Sequence, residues 1–164
     1  LRIFLASGFG LGLAPVVPGS FGALPALALH AFALFLGWSD GAVRAWCLGW
    51  AGAFSALHYA LTPWAQAHWR ASDPRHFVLD EIVGALCVPV FWWLPSPAWP
   101  GGSLAPYACA ALGFCAFRAL DAIKLPGARY IDRRIHTASG VLFDDVVSAA
   151  WTALLVSVAL RCVG

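Results

Sequence analysis

Five apolar runs, near residues 21–38, 42–61, 82–99, 104–117 and 146–160, take up most of this 164-residue chain. A perpendicular bilayer crossing takes about 20 apolar residues, with a range of roughly 17–25. The first two runs meet that length, with only Arg44 and His58 near the ends of the second. Pro89 and Pro95 interrupt the third, which is expected to kink or end early. The fourth and fifth reach spanning length only with flanking residues added. Composition agrees. With 61% hydrophobic and 11% charged residues, the chain is far from the roughly 25% charged residues of a soluble domain. The expected fold is all-α: a polytopic membrane helical bundle of about four to five spanning helices, with short helices on the cytoplasmic face. Residues 1–164 read as a single domain.

Charge placement gives the orientation. If the first two runs form a hairpin, residues 1–20, 62–81 and 118–145 share one side, and the connectors near 38–41 and 95–103 lie on the other. Arg70, Arg75, Arg118, Lys124, Arg129, Arg133 and Arg134 fall on the first side, and the two connectors hold no Lys or Arg. The positive-inside rule makes that first side cytoplasmic. Trp38, Trp64, Trp69, Trp92, Trp93 and Trp99 lie near segment ends, as interfacial aromatic anchors do. The five cysteines are odd in number, lack CxxC spacing and sit in apolar segments, so they read as small buried hydrophobes.

The chain owns eight acids, and seven lie between Asp73 and Asp145. Two stretches nearly repeat: Val78-Leu79-Asp80-Glu81-Ile82-Val83 and Leu142-Phe143-Asp144-Asp145-Val146-Val147. Adjacent carboxylates repel, and apolar surroundings worsen both repulsion and desolvation. Helix capping needs only one acid, whereas here the pair occurs twice. An oxygen-seeking divalent cation is the leading expectation. Neighbouring helical residues diverge by about 100°, so one acid of each pair faces a given site unless the pair lies at a terminus.

Arg118, Asp121 and Lys124 recur every three residues and stack along one helical face. They read either as surface ion pairs or as a metal-binding Asp121 flanked by anion-gripping cations. Asp132 either joins that site or balances Arg133 and Arg134. The segment from Ser7 to Gly22 alternates glycines through Gly8, Gly10 and Gly12 and ends in Pro18-Gly19-Ser20 before the first apolar run. Such a loop can cradle phosphate or simply turn the chain into the membrane, and it is not a P-loop. The histidines show no metal-ligand spacing, and His30 and His58 read as core residues. No serine elbow or Cys/His pairing is visible, and no nucleic-acid partner is expected.

Together these motifs resemble the phosphatidylglycerophosphatase A family of bacterial membrane phosphatases, over nearly the whole chain. The likeness rests on residues 8–15 with Pro18-Gly19-Ser20, on residues 78–84, on residues 117–124, and on Asp132-Arg133 with Asp144-Asp145-Val146-Val147. It implies a Mg²⁺-dependent hydrolase in the bacterial inner membrane that converts phosphatidylglycerophosphate to phosphatidylglycerol on the cytoplasmic face. Carried onto this chain, one or two Mg²⁺ ions fall to Asp80, Glu81, Asp121, Asp144 and Asp145, with Asp80, Asp121, Asp144 and Asp145 catalytic. Substrate phosphate falls to Arg118, Lys124, Arg133, Ser20, Gly10, Gly12 and Gly19. The chain departs from the family's pattern at Ser20, where Thr is usual, at Leu125, at Thr137–Gly140 and at Ser148-Ala149. All of these spare the acids. Two other classes stay in view: a Mg²⁺-dependent membrane phosphatidyltransferase, whose Asp-Gly and Ala-Arg signature is absent, and a small ion-coupled transporter, which would place acids near mid-helix.

Overall fold

A computed structural model describes residues 1–92 and 105–163, and every regular element in it is helical. In chain order these are α1 (Arg2–Ala6), a 3₁₀ turn (Leu11–Leu13), α2 (Pro18–Gly22), α3 (Leu24–Phe35), α4 (Asp40–Trp69), α5 (Leu79–Phe91), α6 (Ala105–Ile123), α7 (Ala128–Arg134) and α8 (Ala138–Val163). Among the described residues, three stretches are long and apolar enough to cross a membrane: Pro18–Phe35, Ala105–Ile123 and Ala138–Cys162. The end of the third apolar run, with Trp93 and Trp99, and the connector near 95–103 lie outside the described residues.

The bundle is organised around α5. This helix packs against α3, α4, α6 and α8, and every residue from Ile82 to Pro89 is buried. A helix apolar all round belongs inside, not at a surface. At 13 residues it is about 20 Å long, short of the roughly 30 Å hydrocarbon core. Its neighbours provide the enclosure that its length cannot. Gly84 lets them close: a Cβ there would stand 2.5 Å from the Phe117 ring of α6 and 3.0 Å from Asp145 Cβ of α8.

The fourth and fifth apolar runs gain length at their polar ends. Helix α6 continues through Arg118 and Asp121 to Ile123, where Lys124 stops it in the left-handed region at φ 55°. Helix α8 starts at Ala138, before the apolar run and before the acids. Thr137 Oγ1 accepts the Gly140 N–H at 3.3 Å, an N-cap bond that offsets one free donor. Asp144 and Asp145 therefore sit within α8 instead of at its start, and capping does not explain them. In α4, Ser39 caps the start and the helix runs through Pro63 to Trp69. His58 on α4 is fully buried, with Nε2 3.0 Å from the Ala138 carbonyl, and so ties α4 to the first turn of α8.

The cysteines only partly match the expectation of buried hydrophobes: Cys47, Cys87 and Cys109 are buried, whereas Cys115 and Cys162 are exposed. The N-terminal segment is strapped across the loop before α5. Val78 N–H donates to Ala6 O at 3.1 Å, and His76 Nδ1 lies 2.8 Å from Gly12 O. Substituting Gly84 by Leu overpacks the junction of α5, α6 and α8. Thermal unfolding in detergent should show a loss of about 1–3 kcal/mol, whereas the same change at Gly49, which has open space around it, should cost far less.

Candidate active site

The ends of α5, α6 and α8 that carry acids meet at one end of the bundle. Asp80 and Glu81 occupy the first turn of α5, where acids suit the free N–H groups and the helix dipole. Asp121 lies in the last turn of α6, and Asp144 and Asp145 in the second turn of α8. Asp80, Asp121, Asp144 and Asp145 are all buried. Asp80 lies within Coulombic reach of Asp144 and Asp145, and Asp145 faces Asp121. Both members of the second pair thus point into one site, although helical geometry alone leads one to expect a single member.

Two cations hold Glu81, Asp121, Asp144 and Asp145. Lys124 Nζ bonds to Asp144 Oδ2 and lies 3.5 Å from Asp121 Oδ1, 3.7 Å from Asp132 Oδ1 and 3.9 Å from Asp145 Oδ1. Burial alone would lower the Lys124 pKa, but Asp145, Asp144 and Asp121 outweigh it and hold the ammonium above its usual range. Arg118 spreads over three partners: Asp121 Oδ2 at 3.0 Å, Glu81 Oε1 at 3.5 Å and Ser20 Oγ at 3.4 Å. The i, i+3 pairs expected along α6 exist, but Asp121 is buried, so they are not surface bridges.

The glycine-rich segment divides. Gly19 touches the site: a Cβ there would collide with Glu81 Oε1 and stand 2.6 Å from Arg118 Nη2. Gly10 and Gly12 are used elsewhere. Their N–H groups donate to Ser7 Oγ at 3.2 Å and Ser7 O at 2.8 Å, and Gly12 is packed on Val78. Only the Gly19-Ser20 end of the segment meets the acids. Arg133 lies apart from them on α7, in a groove whose wall includes Lys124.

Asp73 joins the site's field without having been singled out in the sequence. It sits in the loop between α4 and α5, open to solvent at its surface. Partial desolvation, then Asp132 and Asp121, push its carboxyl above the usual range, while Lys124 opposes them. Its position seven residues before Asp80, directly ahead of Pro74, was the available signal. Asp132, which sequence left between two roles, sides with Lys124.

Asp80, Glu81, Asp121, Asp144 and Asp145 each keep one buried side-chain oxygen without a hydrogen-bond partner. Five carboxyl groups face two cations, so the acids outnumber the cations in a desolvated place. Among the described residues, no three acids or histidines already surround a common ligand-distance point; the Lys124 ammonium stands among them instead. The donor set nevertheless fits a hard cation, since carboxylate oxygens are what Mg²⁺ takes, alongside waters of its own.

Comparison with known proteins gives the family. The family model for phosphatidylglycerophosphatase A matches residues 4–160. Phosphatidylglycerophosphatase A of Escherichia coli K12 is 30% identical over 152 residues, covering 91% of this chain and 77% of its own. The Haemophilus influenzae protein of the same description is 30% identical over 156 residues, covering 93% and 84%. A putative phosphatidylinositol-3-phosphatase of Bacteroides thetaiotaomicron is 29% identical over 170 residues, covering 100% and 96%. No solved structure matches. With the family model matching nearly the whole chain and two named relatives at 30% identity, the chain is a phosphatase that belongs to the phosphatidylglycerophosphatase A family.

Proposed function

We propose that this phosphatase removes the terminal phosphate of phosphatidylglycerophosphate, giving phosphatidylglycerol, at the cytoplasmic face of the bacterial inner membrane. The observation that carries the reading is the set of five orphaned carboxylate oxygens gathered beside Arg118 and Lys124. Asp80, Glu81, Asp121, Asp144 and Asp145 would hold one or two Mg²⁺ ions, which when bound withdraw charge from the phosphoryl oxygens. Arg118 and Lys124 are the groups that exchange carboxylate partners for phosphate oxygens as substrate enters, the electrostatic work on which phosphoryl transfer mostly depends. Ser20 steers Arg118, and Gly19 leaves room for the Glu81–Arg118 pair to pass. Five carboxylates exceed what one Mg²⁺ takes from protein. Either two ions bind, or one acid is left to accept the proton of the attacking water.

In this reading α4, at 30 residues, is a fourth crossing, and α5 is a short fifth, enclosed by the others. The arginines of residues 118–134 then face the cytoplasm. Transport fits poorly, because the acids gather at one end of the bundle and not at its middle. A phosphatidylinositol phosphate, suggested by the Bacteroides relative's name, shares the chemistry of a headgroup monoester and differs in bulk. It serves as the competing substrate.

Purified protein in mixed micelles should release phosphate from phosphatidylglycerophosphate in a Mg²⁺-dependent way, and faster than from phosphatidylinositol 3-phosphate. Asp80→Asn and Asp145→Asn should each slow release by at least about 100-fold. Wild-type rates from either variant would remove that residue from the site, and release that survives chelation would remove the metal.

Lys124→Met leaves Asp144 and Asp145 short of their nearest cation and Asp121 with Arg118 alone. Its unfolding in detergent without divalent ions should fall by about 3–5 kcal/mol, the cost of stranding buried charge. Added Mg²⁺ should raise the variant's Tm more than the wild type's. An unchanged Tm in the variant would mean that the lysine is not the cluster's counter-ion.

A further inference from the structure

Beside the acid cluster lies a groove of about 410 Å³ whose wall includes Lys124, Arg129, Tyr130, Arg133 and Arg134. No acid lines it. Asp132, the one acid on α7, is paired with Lys124. Its arginines are held in different ways. Arg129 Nη2 donates to the Ile123 carbonyl at 3.3 Å, fastening α7 to the end of α6. The Arg134 guanidinium lies over the Tyr130 ring at 5.9 Å, a cation–π contact. Arg133 is exposed and makes no ion pair among the described residues. Arg129 and Arg133, four residues apart, share a helical face.

The surroundings suit a lipid headgroup. Tyr130, Ile123 and Ile135 are exposed on the same stretch, and an aromatic with a polar tip belongs at a bilayer interface. Lys124 links the two places, lining the groove while touching the acids. A ligand that fills both needs two anionic groups a few bonds apart. A singly charged phosphodiester has two free oxygens that match an arginine fork, and a monoester carries the extra charge suited to the metal-ready cluster.

We infer that the α7 groove binds the phosphodiester of the same lipid whose terminal phosphate is cleaved, so that the enzyme selects lipids with two phosphates. This rests on the hydrolase reading above and adds a specificity site to it. A diester could also come from a neighbouring anionic phospholipid, and the host lipid of the assay separates the two sources.

The test compares wild type with Arg134→Ala and with the double variant Arg133→Ala/Arg134→Ala, in micelles of a nonionic detergent that contains no phosphate. Two substrates are used: phosphatidylglycerophosphate, with both phosphates, and phosphatidate, with a monoester alone. KM for phosphatidylglycerophosphate should rise about tenfold in the double variant, the loss expected for truncated interface arginines, with a markedly smaller rise for phosphatidate. Equal rises for both lipids would overturn the proposal. So would a difference that emerges only when the host micelle contains anionic diester lipid. Binding of phosphatidylglycerol, which keeps the diester alone, supplies a readout free of turnover. Weaker binding by the double variant supports the groove, and equal binding overturns it. If the wild type cleaves neither lipid, the hydrolase reading fails, while the binding comparison still decides the groove.

Discussion

Every feature of the site follows from placing two carboxylates at the start of a helix buried on all sides. Asp80 and Glu81 open α5, and α5 has no polar face through which to solvate them. Unpaired buried charge is among the largest penalties a fold can carry, so the surrounding helices must bring cations. Helix α6 carries Arg118 near its end and Lys124 just past it, and the ammonium of Lys124 reaches Asp121, Asp132, Asp144 and Asp145. The helix dipole of α5 helps its own pair but not Asp144 and Asp145, which lie beyond the first turn of α8. What remains is an excess of acids over cations, with orphaned oxygens. Such a place invites a divalent cation, and the family to which the chain belongs makes phosphate the group it would act on.

The small residues read as consequences of that demand. Gly19 is bare because the Glu81 carboxylate and Arg118 guanidinium fill the space where a Cβ would go. Gly84 is bare because Phe117 and Asp145 close over α5 there. Packing and electrostatics are one problem at this end of the bundle: the helices approach closely so that few cations can serve many acids.

Much of this was legible in the sequence, because apolar runs and charge placement are local signals. The all-helical class, both acid pairs and the Arg118–Asp121–Lys124 face could each be read from a window of a few residues. Other parts needed the folded chain. The start of α8 was hidden because apolarity marks what a helix buries, not where its first turn is capped, and Thr137 signalled the latter. Asp73 was passed over because it stands alone in a loop, and only folding carries it into the field of Lys124. Gly10 and Gly12 looked like a phosphate cradle by spacing, yet their N–H groups are spent on Ser7. Glycine alternation shows that the backbone can come close to something without showing to what.

The central claim is that the carboxylates around Lys124 form a cation-loaded site, and metal binding without turnover reaches it most directly. Mn²⁺ titrated into detergent-purified protein can be followed by the loss of the free ion's electron paramagnetic resonance signal. The account predicts saturable binding of one or two ions per chain that Mg²⁺ displaces and that Asp145→Asn abolishes or strongly weakens. Absence of saturable binding, or binding that Asp145→Asn leaves unchanged, would contradict it.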